Sequence, residues 1–152
     1  MHSLAEVLPH AAPMILLDRI VGYDAERLTA ELTVPAEGLF NDPEHGGVPA
    51  WVGIEYMAQA VAALDGCLRR DAGLPPKIGF LLGTRQYACA VPVFRPGQVL
   101  SVNVVEAIRG ENGMAVYEAR IECETAVFAT AKINGFQPAD PQAFLAGQQE
   151  EQ

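Results

Sequence analysis

One segment constrains the fold more than any other. Residues 50–70, AWVGIEYMAQAVAALDGCLRR, contain no proline and are rich in Ala, Met and Leu, so they read as one long helix. Apolar residues fall on nearly every face of it: Trp51, Val52, Ile54, Met57, Ala58, Val61, Ala62 and Leu64. A helix that is apolar all round is buried rather than laid on a surface. Arg69 and Arg70 close its C-terminal end, where cations favour the helix dipole, and Gly73 with Pro75 and Pro76 stops it.

The rest of the patterned sequence reads as strand. Residues 14–23 (MILLDRIVGY) are apolar and β-branched, and residues 28–34 (LTAELTV) alternate, with a turn over 24–27. Residues 77–91, 99–109, 114–123 and 125–136 follow as strands, with hairpin signals at 110–113 (GENG) and at Glu124-Thr125. Between the first two strands and the helix, residues 35–49 form a Pro- and Gly-rich loop long enough to suggest a function. The order is therefore β-β-α-β-β-β-β. A single sheet covers an all-apolar helix only by wrapping around it. This is the α+β layout of a hot-dog fold, an antiparallel β-sheet around one long buried helix. Residues 1–136 make the single domain, and 137–152, with no β pattern, read as a C-terminal tail.

Composition supports one such core. The chain has 152 residues, is 50% hydrophobic and only 19% charged, against roughly 25% for an ordinary soluble domain. That shortage of charge suggests surface buried in a partner. With 10 Lys+Arg against 19 Asp+Glu the formal charge is −9, and no run of cations exists. Binding to a nucleic-acid backbone lacks its electrostatic footprint, and attraction to anionic membranes is weak for the same reason. The N-terminal residues carry no basic stretch, and their apolar run is broken by Pro9, His10 and Pro13. The reading is a cytoplasmic chain without a signal peptide or membrane span. Cys67, Cys89 and Cys123 are odd in number and match no metal or redox spacing, so they read as small apolar groups in a reducing compartment.

Few residues can carry chemistry. Of three histidines, His2 is terminal, and His10 serves either as a structural residue at a loop entrance or as part of a cleft. His45 sits in Glu44-His45-Gly46-Gly47, directly ahead of the helix, where two glycines let backbone approach a ligand. Glu55 lies in the most apolar segment of the chain. An ionised carboxylate there is costly unless paired, and burial would raise its pKa toward that of a usable acid. The alternative is a glutamate that reaches solvent or satisfies nearby backbone. Gln59 stands one turn further on. Helix-start N–H groups can hold a developing oxyanion. Together these make a site for proton transfer beside a carbonyl. No phosphate loop, nucleophile motif or cluster of metal ligands is present. Arg69, Arg70, Lys77 and Arg85 are the basic residues near the helix end; they are either solvated surface or a patch for an acidic partner.

Four segments in order, LPHAAPMILLDR, HGG before the helix, GIEYMAQA within it and GFLLGTRQYACAVPVFRPGQVL after it, resemble the 3-hydroxyacyl-[acyl-carrier-protein] dehydratases of the hot-dog fold over about residues 8–136. PHxxPMxLLDR with HGGVPAWVGIEYMAQA is most similar to the aryl-polyene biosynthesis subgroup. The resemblance implies that His45 takes the place of the catalytic histidine, Glu55 that of the helix acid, and Gln59 that of the glutamine in E-x-M-A-Q. The family's longer His-Phe-Pro-Gly stretch is shortened here, and its Pro-Gly at the helix start has become Pro49-Ala50. The oxyanion donor is then the N–H of Gly46, Gly47 or a residue in the first helical turn such as Ala50.

The activity this implies is dehydration of 3-hydroxyacyl thioesters to trans-2-enoyl thioesters, in fatty-acid or aryl-polyene biosynthesis. No cofactor or metal is expected, phosphopantetheine entering only with the carrier-bound substrate. Expected partners are an acyl carrier protein, docked at Arg69, Arg70, Lys77 and Arg85, and a second hot-dog chain. That chain is identical or different, with His45 and Glu55 facing each other from different protomers. The HGG pattern is also close to that of hot-dog acyl-CoA thioesterases, and a non-catalytic hot-dog subunit is the third reading.

Overall fold

The computed structural model describes residues 2–9, 14–75 and 81–136. A short helix α1 (Leu4–Val7) precedes strands β1 (Arg19–Tyr23) and β2 (Arg27–Thr33). Then come β3 (Val48–Pro49), a 3-10 turn over Ala50–Val52, and the long helix α2 (Gly53–Asp71). The chain finishes with β4 (Leu81–Cys89), β5 (Val93–Phe94), β6 (Val99–Arg109), β7 (Met114–Cys123) and β8 (Ala126–Phe136). Six strands form one sheet in the order β1-β2-β6-β7-β8-β4, every neighbouring pair antiparallel.

Alternation along these strands sends one set of side chains toward α2. Leu28, Ala30 and Leu32 of β2, Val102 and Val104 of β6, Ala119 and Ile121 of β7, and Ala131 and Ile133 of β8 are all buried. They meet Met57, Val61 and Leu64 of α2, also buried. Each such large side chain contributes about 1.5–3 kcal/mol, so the sheet curls to keep the helix covered. α1 locks the far end. Val7 lies so close to Gly66 that a Cβ there would collide with the Val7 carbonyl, and Asp71 accepts from His2 and Tyr23, each at 2.7 Å. Hydrogen bonding to Asp71 is the main cause that pushes the Tyr23 phenol up to about 12. No helix among the described residues is long and apolar enough to cross a membrane.

The hot-dog layout predicted from pattern is the one observed, with four differences. The first strand starts at Arg19 rather than 14, because backbone at Met14 and Leu16 is bonded to a helix side chain, Gln59, and not to a strand. The segment read as 77–91 is β4, followed by the separate two-residue β5; residues 77–80 lie outside the described ones. β3 and β5, which pair with each other, and the four-residue α1 are too short to show a period and were not predicted. Finally, Trp51 is 61% exposed, so the helix is not covered on every side. The half-open positions Ile54, Glu55 and Ala58 share its stripe. The tail, 137–152, lies outside the described residues.

Candidate active site

The loop before α2 is organised by Asp42. Its carbonyl accepts the amides of His45 at 3.2 Å, Gly46 at 3.0 Å and Gly47 at 3.2 Å, and its own amide donates to the Gly47 carbonyl at 2.7 Å. Gly46 has φ +80°, a left-handed conformation that other residues enter only at a cost. At Gly47 a Cβ would run into the Phe94 carbonyl of β5. Both glycines are therefore explained by the tight turn itself. His45 projects from that turn, 68% exposed on the single chain. Its Nδ1 lies 2.6 Å from Asp42 Oδ2. The hydrogen bond to His45 is the largest of the effects that hold the Asp42 carboxyl below its ordinary value.

This geometry changes the expectation for the oxyanion donors. The amides of Gly46 and Gly47 are spent on Asp42, and the Ala50 amide donates to the Pro92 carbonyl at 3.1 Å. The amides of Gly46, Gly47 and Ala50 are thus engaged within the chain, and the rest of the 3-10 turn, Trp51 and Val52, is where the expectation of a helix-start donor remains.

The start of α2 is pinned from two sides. Tyr87 of β4 donates its hydroxyl to the Ala50 carbonyl at 2.5 Å, and burial first of all pushes its phenol pKa far up. Gly53 lies beneath that ring: a Cβ would meet the Tyr87 hydroxyl, Ile121 and Phe94. Glu55 follows in the first turn, where an acid complements the helix dipole. It is half-buried rather than enclosed. Next to it, burial chiefly drives the Tyr56 phenol up to about 12.

Gln59 is fully buried. Its Nε2 donates to the Met14 carbonyl at 2.6 Å and to Glu55 Oε1 at 3.3 Å, while its Oε1 accepts the Leu16 amide at 2.8 Å. Both of its donor hydrogens are thus committed within the chain.

The expected basic patch does not form as one surface. Arg69 and Arg70 lie at the end of α2, bonded to the carbonyls of Pro75 and Glu6 at 2.7 Å and 3.2 Å. Arg85 pairs across β4–β8 with Lys132, which pairs with Glu118 and, beyond it, Val105 and Arg27. That row lies on the face of the sheet opposite α2. Lys77 and His10 are outside the described residues. Among those described, no three His, Cys, Asp or Glu residues are placed to hold a metal ion. All three cysteines are free, with Cys67 buried. Sequence reasoning missed Asp42 and Tyr87; an acid three residues ahead of a histidine is the signal that marks the first.

An antiparallel sheet around one buried helix, with a histidine turn ahead of that helix and a glutamate in its first turn, is a hot-dog fold, and the family comparison gives its class. A family model described as ApeP dehydratase matches residues 2–146, and the chain belongs to this ApeP-like family. It is a dehydratase, a lyase, rather than a thioesterase. It is 29% identical over 136 residues to the 3-hydroxyacyl-[acyl-carrier-protein] dehydratase FabZ of Thermus thermophilus, covering 84% of this chain and 91% of that one. FabZ of Chlamydia pneumoniae is 29% identical over 131 residues, covering 82% and 84%. Among solved structures, the dehydratase heterocomplex ApeI:P from Xenorhabdus doucetiae matches with a TM-score of 0.85 and 27% identity over 96% of this chain and 97% of that one.

Proposed function

We propose that His45 and Glu55 carry out the dehydration of a 3-hydroxyacyl thioester presented on acyl carrier protein, in fatty-acid or aryl-polyene type biosynthesis. His45 takes the proton from the carbon next to the thioester carbonyl. An amide of the 3-10 turn holds the enolate oxygen. Glu55, protonated, donates to the β-hydroxyl, which leaves as water as the Cα=Cβ bond forms. The two protons so moved balance: one from carbon to His45, one from Glu55 to the leaving oxygen.

The observation that carries this reading is the clamped carboxylate. A glutamate in the first turn of a core helix, held by a fully buried glutamine, fits a proton donor of fixed position. Glu55 also shares the helix stripe left open beside Trp51, which suits a site completed by a second chain. The match to the ApeI:P dehydratase heterocomplex supports that chain being a different subunit; an identical copy is the alternative. No cofactor takes part, and the free thiols fit a cytoplasmic setting.

Product analysis on a 3-hydroxyacyl pantetheine thioester tests the reading. A conjugated enoyl product is expected from the wild type. His45→Ala and Glu55→Gln should each slow its formation by about 10²–10⁴-fold. Wild-type turnover by either folded variant removes that residue from the mechanism.

A further inference from the structure

We propose that Asp42 is a positioning residue for His45, fixing which ring nitrogen carries the proton so that Nε2 is left bare to act as the base. The proposal rests on the reading of His45 as the base.

The two carboxylate oxygens of Asp42 have separate tasks. Oδ1 accepts the Glu44 amide at 3.1 Å, closing the local turn, while Oδ2 faces His45 Nδ1 at 2.6 Å. That second contact is at the short end for an N–H···O bond, as charge-assisted pairs are. A carboxylate only accepts, so Nδ1 must be the protonated nitrogen, and the neutral ring offers its lone pair at Nε2. The Asp42 backbone is equally fixed, since three amides converge on its carbonyl and its own amide is taken by Gly47. The acceptor is thus rigid before any substrate arrives. Glu44 is the other ionisable residue of this turn, and β5, packed against Gly47, contributes Val93 and Phe94, neither of which titrates.

After proton abstraction the imidazolium keeps Nδ1–H on Asp42 and carries the new proton on Nε2. The aspartate stays ionised throughout, so it orients the ring and stabilises the charge without exchanging a proton. A residue that only shaped the turn would need Oδ1 alone.

Asp42→Asn tests this with little change of shape. Asparagine has one oxygen, which can serve the Glu44 amide or the His45 ring but not both. When it serves the amide, its NH₂ faces Nδ1 and selects the wrong tautomer. The ¹⁵N chemical shifts of the His45 ring in the full-length assembly should show Nδ1–H in the wild type and a shift toward Nε2–H in Asp42→Asn. On a 3-hydroxyacyl pantetheine thioester, kcat should fall by about 10²-fold or more with KM within a factor of about two, while Glu44→Gln behaves as wild type. A wild-type ring protonated at Nε2, or a folded Asp42→Asn with wild-type kcat, overturns the proposal. His45→Ala separates the two levels. If it retains full activity, the reading of the base fails; if it is inactive while Asp42→Asn is not, only the role of Asp42 fails.

Discussion

Gln59 reaches back one helical turn to Glu55, donating to its Oε1 at 3.3 Å, while the same side chain binds Met14 and Leu16 at 2.6 and 2.8 Å. One buried amide thus ties the proposed acid to the extended segment that leads into β1. Replacing Gln59 with Leu, an apolar side chain one heavy atom smaller, strips partners from the Leu16 amide and the Met14 carbonyl. Each buried polar group left unpaired costs about 1–3 kcal/mol. Urea denaturation of Gln59→Leu should therefore show a lowered midpoint, with kcat reduced alongside. An unchanged midpoint would mean that solvent or other groups replace the clamp.

A second tie, between Tyr87 and Ala50, joins β4 to the helix start. Removing the hydroxyl in Tyr87→Phe should cost about 0.5–1.5 kcal/mol, the net worth of one hydrogen bond. Gly53→Ala should cost more, about 1–3 kcal/mol, because the added methyl is driven against Tyr87, Ile121 and Phe94 in a packed site. Gly83→Ala, where a Cβ meets nothing within 4 Å, serves as the control. Thermal melts should show the largest loss for Gly53→Ala, a smaller one for Tyr87→Phe, and Gly83→Ala nearest to wild type.

These ties also mark what was legible in the sequence. The helix follows from composition and the absence of proline, and the long alternating strands from period, because one face of each strand is buried. Glu55 and Gln59 stood out as polar residues in an apolar run, which is how a buried functional group shows itself. Asp42 did not, since a loop has no period and its role depends on a turn that folds back on its own carbonyl. The glycines at 46 and 47 were visible but ambiguous: a close approach to a ligand and a tight turn demand the same residue. Arg85 was grouped with the helix-end arginines although it stands apart from them, because its face depends on the β4–β8 register, and a strand's two sides look alike in sequence unless one is apolar. Trp51 looked like core because hydrophobicity does not say which chain does the covering.

Burial drives the Cys67 thiol from its ordinary 9.0 to about 11. The folded state therefore holds this proton more tightly than the unfolded chain does. The resulting stabilisation is fully present below pH 9 and is lost as pH rises from there toward 11. Chemical denaturation across that window should show the wild type losing stability more steeply than Cys67→Ala. Parallel curves would show that Cys67 does not set the alkaline limit. In the native state the same burial should leave Cys67 the slowest of the three thiols to react with a disulfide reagent at pH 8.

Trp51 is 61% exposed and packs edge-to-face on Phe40, with ring centroids 5.8 Å apart. A tryptophan left open beside the proposed acid suits an interface core, where large aromatics concentrate. Light scattering at micromolar concentration should give a dimer or a larger assembly built of dimers, with an identical or a second hot-dog chain. Trp51→Glu should shift the mass toward monomer and lower turnover in parallel, while leaving the fold of each chain intact. A wild type that stays monomeric, alone and with a second hot-dog subunit, would contradict the proposed shared site.

Docking of an acidic acyl carrier protein, as proposed, would meet a chain charge of −9, so its attraction would have to be local. Arg69 and Arg70 at the α2 terminus are on the helix side of the sheet, whereas Arg85 and Lys132 stand together on its far face. The proposed site opens at the start of the same helix, which favours the helix side for a carrier that must thread a flexible arm inward. Exposed charge pairs are worth roughly 0–1 kcal/mol each, so single changes will be hard to see. Arg69→Glu combined with Arg70→Glu should raise KM for carrier-bound substrate several-fold and leave a pantetheine substrate unchanged. Arg85→Glu with Lys132→Glu should leave both unchanged. If the far-face pair alone raises KM, the carrier docks on the sheet. Equal losses on both substrates from the helix-end pair would instead trace to the Pro75 and Glu6 carbonyls that those arginines bind, and would remove them from docking.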